Sequence, residues 1–423
     1  MEIAMKTELL ITSYGDQVLS MQVMDGKIVQ IHAETRETTG EESAGTSDPV
    51  NNSSEHHTPR VGDIYVGKVR NIVKNINAAF VEFSKGQMGY LPLNEKTVPL
   101  HTQGFPFQEG RVLIGDEIIV QVAKEPVKTK PVTLTGMLDL AGRYMVLTVG
   151  KDGVGLSKKI KEKDRREFMR ALMEEYAQEG CGMIARTNSV HAEEKELRRE
   201  LEWLKERYQQ IVTFGMHKVP FTCLEKAPAA YLCDIRDGYG EFLESIITDD
   251  DTLYQEIEDY LINYWPEGLT LLRRWNPDHG KLDAVYNISR TIDHALMPKV
   301  WLKSGAYLVI QPTEALVSID VNTGKAVSKK KDVQATYRKV NLEAAEEIAR
   351  QLRLRNLSGM ILIDFIDMKS EESNEELLEA LRRHVRRDSV PTTVVDMTKL
   401  GLVEMTRKKV RMPLYQQLIR KKE

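Results

Sequence analysis

The sequence predicts a multidomain mixed α/β protein that carries one small β-barrel. Three observations lead there. The chain has 423 residues, more than a single hydrophobic core ordinarily serves, so roughly two to four domains are expected. From Val61 the text breaks into short strand-like runs, "VGDIYVGKVRNIV", "AAFVEF", "MGYLPL" and "GDEIIVQVAKE", and short strands at such spacing suit a small barrel. In the final third, strand, helix and strand follow one another, each with apolar content, which is a βαβ unit.

Taken in order, residues 5–34 alternate as strands do, with Asp25-Gly26 as a hairpin turn. Residues 35–60 hold almost no apolar side chains and many Gly, Ser, Thr and Asn. They read as a disordered loop, in which His56-His57 are not expected to form a site. In the barrel, period two puts Ala79, Val81 and Phe83 on one face and Phe80 and Glu82 on the other. Leu91 and Leu93 share the Gly89 face, and Met88 and Tyr90 lie opposite. Phe80 and Tyr90 therefore sit away from the core, either as stacking platforms for single-stranded bases or beneath another domain. Residues 131–190 return to strands around a charged helix at 158–179, and a second charged helix spans about 191–210. After Pro228 the run "AYLCDIRD" reads as a short strand, and "DTLYQEIEDYLINYW" as a helix stopped by Pro266.

Composition is that of a soluble globular protein, 41% hydrophobic and 29% charged. No apolar run approaches the ~18–20 residues of a membrane span, and the start lacks the features of a secretory signal. Cys181, Cys223 and Cys233 have no C-x-x-C spacing and read as reduced structural thiols, which points to the cytoplasm. The net charge is −4, yet from Leu296 onward 24 Lys/Arg face 17 Asp/Glu. A basic segment in an acidic chain is a footprint for a polyanion, or else a set of solvated helix faces.

The final third holds the chemistry. "AYLVIQPTEALVSIDVN" contains two strand-like runs. The helix that follows, in "DVQATYRKVNLEAAEEIARQLRLRNLSG", has Asp332 as its N-cap and Gly359 as its stop. "MILIDFIDM" is then a continuous apolar strand carrying Asp364 and Asp367. A crossover helix makes the flanking strands parallel, with their carboxyl ends at one edge, where open α/β sheets place ligands. Asp320 and Asp364 would converge there. Asp320 and Asn322 share a strand face, while Asp364 and Asp367 should project to opposite faces. Paired carboxylates repel unless one protonates or a cation intervenes. Mg²⁺ suits few carboxylates plus water and phosphate oxygens, and that arrangement suits phosphodiester hydrolysis. The alternative is capped strand ends, or pairing with Lys325, Lys329 and Lys330.

The strings "EALVSIDVNTGK", "NLEAAEEIARQLRLRNLSGMILIDFIDM" and "LGLVEMTRKK" resemble the catalytic core of the ribonuclease E/G family of bacterial endoribonucleases. The likeness runs from "TELLI" through "VGDIYVGKVRNIV…AAFVEF…GYLPL" and "IART" to "EMTRKK". It implies a ribonuclease-H-like subdomain split by an inserted S1 (oligonucleotide-binding) barrel and a 5′-sensor domain, followed by a DNase-I-like catalytic subdomain. The corresponding spans are 1–36 and 231–295 for the split subdomain, 37–60 for the loop, 61–140 for S1, 141–230 for the sensor and 296–423 for the catalytic part.

By the same resemblance Asp320 and Asp364 are ligands of Mg²⁺, with Mn²⁺ as a substitute, and Asn322 orients the reacting phosphate or a ligand. Phe80, Tyr90 and Lys130 grip single-stranded RNA. Arg186 and Thr187 hold a 5′-monophosphate, with Gly142 and Val146 giving backbone contacts. The implied activity is endonucleolytic cleavage of single-stranded RNA to 3′-hydroxyl and 5′-phosphate ends, in rRNA processing and mRNA decay, by a cytoplasmic homodimer. A catalytically silent RNA-binding scaffold is the competing reading. Three departures stand out. No C-P-x-C zinc link follows "EMTR", so structural zinc and a tetramer are not expected. Pro131 follows Lys130 where "TKG" is usual, and Gln311 replaces a more usual Asp.

Overall fold

The computed structural model describes residues 7–36, 59–93, 99–102, 111–124, 131–177, 180–238, 243–325 and 332–418. The chain divides into two compact units, one formed by residues 1–39, 242–259 and 267–423 and the other by 40–241 and 260–266. The 35–60 loop lies almost wholly outside the described residues, as do Lys130, Lys329 and Lys330.

The first unit contains two sheets. One begins as a meander of Thr7–Tyr14, Gln17–Met24 and Lys27–Thr35. Its second turn is the expected Asp25-Gly26, with φ of 48° and 72°, the positive pair that a tight hairpin of this twist requires. Thr7–Tyr14 also pairs in parallel with Leu243–Thr248, which pairs in parallel with Leu272–Arg274. One sheet thus draws strands from both sides of a long intervening segment. Leu10, Leu19, Met21 and Ile31 bury one face against Ile288 and Ile292 of the helix Ile288–Leu296, joined by Leu354, Leu414 and Leu418.

The other sheet has six strands in the order Lys299–Trp301, Tyr307–Pro312, Leu316–Asn322, Gly359–Asp364, Leu402–Arg407, Thr392–Met397. Leu316–Asn322 and Gly359–Asp364 are parallel and are joined through the helix Val333–Leu354, so the βαβ expectation holds. Alternation decides the faces. Val317, Ile319, Val321, Ile361, Ile363, Val403 and Met405 pack on Val340, Ala344, Ile348, Leu352, Leu377 and Leu381 of two helices, each such side chain contributing ~1.5–3 kcal/mol by leaving water. On the opposite face Lys299, Trp301, Asp320, Asp364, Glu404 and Thr406 are exposed.

Three local expectations need correction. The crossover helix starts as expected, with the Asp332 side chain accepting from the Ala335 amide at 2.9 Å. It ends at Leu354, however, and the left-handed residue behind it is Asn356 (φ 47°), while Gly359 opens the next strand. That strand stops at Asp364, so Asp367 lies in the following loop and the period-two argument does not reach it. "AYLCDIRD" is a helix, Ala230–Asp237, with Tyr231 and Ile235 buried. Apolar residues at 231, 233 and 235 fit period two, but the 231/235 pair also fits one helical turn, and so short a run cannot choose.

In the second unit, Ile64–Val73, Ala78–Ser84, Gln87–Pro92, Val132–Thr135 and Glu117–Lys124 close into a five-stranded barrel through pairing of the first with the last. Ala79, Val81, Phe83 and Leu91 fill it. A four-stranded sheet follows, Val154–Leu156, Cys181–Ala185, Met145–Val149 and Asp139–Ala141. The helices Lys163–Tyr176 and Glu194–Gly215 cover it with Met169, Leu172, Leu197, Leu201 and Leu204. A capping box of Glu193 and Glu196 starts the second helix. No helix among the described residues is long and apolar enough to cross a membrane.

Candidate active site

Asp320 and Asp364 are register partners on adjacent parallel strands, one strand spacing apart, ~4.8 Å between backbones. Both are exposed on the open face. Asn322, two residues beyond Asp320 on the same face, donates its Nδ2 to Asp320 Oδ2 at 2.6 Å. Burial and the negative charges of Asp320 and Asp367 push the Asp364 carboxyl above the ordinary carboxylate range. Asp367 is therefore part of this electrostatic neighbourhood, contrary to its expected placement on the opposite face. Gln311 pairs with Ser318, which puts it on this face too, one row beyond Asp320.

Two residues missed in the sequence support the pair. Asn341 is fully buried in the crossover helix. Its Nδ2 donates to the Ile366 carbonyl at 2.7 Å, and its Oδ1 accepts from the Ile366 amide at 3.1 Å. This clamps the loop between Asp364 and Asp367. A polar residue beside Val340, Ala344 and Ala345 on an apolar helix face was the available signal. Arg407, in the "EMTR" string, is buried against Asp388 at 2.7 Å and donates to Asn356 Oδ1 and the Leu357 carbonyl. It ties the strand Leu402–Arg407 to the segment leading into Gly359–Asp364.

In the barrel, Phe80 and Tyr90 are register partners with ring centroids 6.1 Å apart in an edge-on arrangement. Both are half-buried and on the face opposite Val81, as alternation requires. Met88 beside them is exposed.

Arg186 and Thr187 line a cavity of about 690 Å³ together with Gly153, Ser157 and Lys158. Thr187 Oγ1 lies 3.0 Å from Ser157 Oγ. Arg186 donates Nη1 to the Gly142 carbonyl at 2.7 Å and pairs Nη2 with Asp237 at 2.7 Å. Arg236 also pairs with Asp237. Burial pushes the Asp237 carboxyl up, but the hydrogen bonds and charges of Arg236 and Arg186 outweigh it and hold the group below its usual range. Gly142 is thus brought to Arg186. A side chain there would meet the Glu200 carboxylate at 2.5 Å, because buried Glu200 accepts the amides of Arg143, Tyr144 and Met145. Val146 pairs with Ala141 and Ile184 and does not line the cavity.

Among the described residues no group of three or more His, Cys, Asp or Glu is arranged to hold a metal. The Asp320–Asp364 pair with Asn322 is instead an oxygen-donor set of the sparse kind that Mg²⁺ completes with water and phosphate oxygens. The like charges crowding Asp364 fit a cation.

Comparison with known proteins identifies the family. Residues 139–410 match the model of the ribonuclease E/G family. The chain is 35% identical over 366 residues to a ribonuclease E of Nostoc sp., covering 85% of this chain and 52% of that protein. It is 34% identical over 361 residues to ribonuclease G of Haemophilus influenzae and over 363 residues to that of Escherichia coli, covering 83% of this chain and 73% of each relative. The chain therefore spans about half the length of the first relative and about three quarters of the other two. With a family match over residues 139–410 and relatives 34–35% identical over most of its length, the chain belongs to the ribonuclease E/G family.

Proposed function

We propose that this chain is a divalent-metal-dependent endoribonuclease that cuts single-stranded RNA and leaves 3′-hydroxyl and 5′-phosphate ends. The observation that carries the reading is the register pairing of Asp320 with Asp364 on an open sheet face, with Asn322 hydrogen-bonded beside them. Relatives named ribonuclease E and ribonuclease G support the substrate class. Asp320 and Asp364 would hold Mg²⁺ or Mn²⁺. When bound, the ion supplies an activated water and neutralises charge developing at phosphorus. Asn322 fixes the Asp320 carboxylate through its amide, and Asn341 fixes the loop behind Asp364.

Phe80 and Tyr90 stack unpaired bases on the barrel surface, with Lys130 serving the backbone phosphates. Arg186 and Thr187 receive a 5′-monophosphate, for which a guanidinium beside a hydroxyl is suited. Arg186 already spends one edge on Asp237, so the phosphate binds by exchange or by sharing that contact. The subdomain assignment given above, action on rRNA precursors and mRNA, a cytoplasmic location and a homodimer complete the reading.

The test is cleavage of a 5′-labelled single-stranded RNA in Mg²⁺ by wild type, Asp320→Asn and Asp364→Asn. Cleavage by wild type and loss in both variants is expected. Full cleavage by either variant overturns the mechanism. Arg186→Ala should lose the preference for 5′-monophosphorylated over 5′-hydroxyl RNA while still cutting RNA internally.

A further inference from the structure

The open face of the six-stranded sheet continues past Asp320 to the edge strand Lys299–Trp301. Asp364, Asp320, Val309 and Lys299 form one row of register partners, and Asn322, Tyr307 and Trp301 form the next. Register partners project to the same side of a sheet, so all seven side chains share the face that carries the carboxylates. Trp301 is 63% exposed, unusual for so large an apolar group. Its ring lies 5.2 Å from that of Tyr307 at 59°. The Lys299 ammonium sits 4.2 Å from the Trp301 centroid and 3.7 Å from the Tyr307 centroid, a cation–π contact to both rings.

Neither ring fills the core, which lies behind the opposite face. What they present is an aromatic surface with a positive charge fixed beside it, in line with the reacting pair. Lys299 is two strand spacings from Asp320, ~10 Å, within the span of a neighbouring nucleotide. We propose that Trp301, Tyr307 and Lys299 form a nucleotide subsite for the RNA flanking the scissile bond. A base stacks on Trp301, and its phosphate meets the Lys299 charge. The subsite rests on the endoribonuclease reading above and adds to it a means of holding RNA on the catalytic sheet itself, apart from the barrel. Aromatic stacking is tolerant of base identity, so the subsite fixes the strand without selecting sequence. A polyanion fits this place better than a protein partner, because the cation already lies on the rings and the rows run straight into an acidic pair that calls for a cation and a phosphate.

The experiment uses the full chain with Mg²⁺ and single-stranded RNA oligomers carrying 2-aminopurine next to the cleavage site. In steady-state kinetics Trp301→Ala should raise KM roughly 5- to 150-fold, the range of one lost stacking contact, with kcat little changed, and Trp301→Phe should restore most of it. Lys299→Ala should flatten the salt dependence of binding by about 0.7 in log–log slope, one phosphate on a single strand. In an Asp320→Asn background, bound RNA should show quenched 2-aminopurine fluorescence that Trp301→Ala relieves. Cleavage by wild type with KM and quenching unmoved in Trp301→Ala overturns this subsite and leaves the ribonuclease reading intact. Absence of cleavage by wild type counts against the ribonuclease reading instead, and the quenching arm still decides the subsite. If Trp301→Ala dissociates an oligomer and leaves RNA quenching unchanged, the face is a protein interface and the proposal fails.

Discussion

The open face around Asp364 and the neighbourhood of Arg186 handle charge in opposite ways. Asp364 has Asp320 and Asp367 as its charged neighbours, all of one sign, and its carboxyl is raised in consequence. Arg186 meets Asp237, which Arg236 also clamps, and that carboxyl is lowered. Among the described residues the first arrangement leaves a surplus of negative charge. In the second, two guanidinium groups already share one carboxylate, so an anionic ligand would compete with a group of the protein. On the proposed function, the first region would recruit a cation and the second would exchange the tethered carboxylate for a phosphate.

Neutralising the surplus should have the largest effect. Asp320→Asn and Asp364→Asn each remove half of the charge that would hold the metal, whose contribution is several kcal/mol of transition-state stabilisation, on the order of 10³-fold in rate. Single-turnover cleavage of labelled RNA measures it. Asp367→Asn, off the strand end, should cost far less. A comparable loss there would make it a third ligand and redraw the site.

Next in size is a pair that is balanced and fully enclosed. Arg407 and Asp388 are 3% and 7% exposed. Arg407→Ala strands a buried carboxylate and should lower stability by ~3–5 kcal/mol in denaturant titration. Replacing both partners with apolar residues of similar volume should recover much of that. Asn341→Ala leaves both polar groups of Ile366 unanswered, at ~1–3 kcal/mol. It should also depress cleavage more than its stability loss accounts for, because the freed loop begins right after Asp364.

Much of this was legible beforehand where one period ruled. The Asp25-Gly26 turn follows from turn-residue chemistry, and the buried Ala79, Val81 and Phe83 and the parallel placement of Asp320 beside Asp364 follow from side-chain alternation and crossover geometry. Reading failed where an element was too short or where it ended. Tyr231 and Ile235 satisfy two periods at once, and packing chose the helix. The strand ends at Asp364, and beyond it Asn341 takes both backbone groups of Ile366; no local pattern announces a hydrogen bond across 25 residues. Arg407 belongs to the basic excess of the final third, yet its side chain points inward to Asp388. Asp237 was invisible as a partner of Arg186 because only the fold brings residues 51 apart in sequence to 2.7 Å.

The smallest effect separates the two regions by sign. In metal-free protein a raised Asp364 keeps its proton longer when folded than when unfolded. Stability therefore falls as pH rises from the unfolded value, about 3.9, through the folded one. Asp364→Asn should remove that penalty and raise Tm at neutral pH, with the difference vanishing in acid, where both states are protonated. Asp237 runs the other way. Its lowered carboxyl adds stability above the unfolded value that is lost as pH falls through the folded one, so Asp237→Asn should lower Tm at neutral pH. Both shifts should be roughly 2 °C or less, the scale of an exposed ion pair. Thermal melts from acid to neutral pH with chelator present measure them. Added Mg²⁺ should then raise the Tm of wild type by mass action and leave Asp364→Asn nearly unmoved, while Asp237→Asn responds as wild type does. If the two substitutions shift Tm in the same direction at neutral pH, the contrast between a carboxylate among like charges and one among opposite charges is wrong.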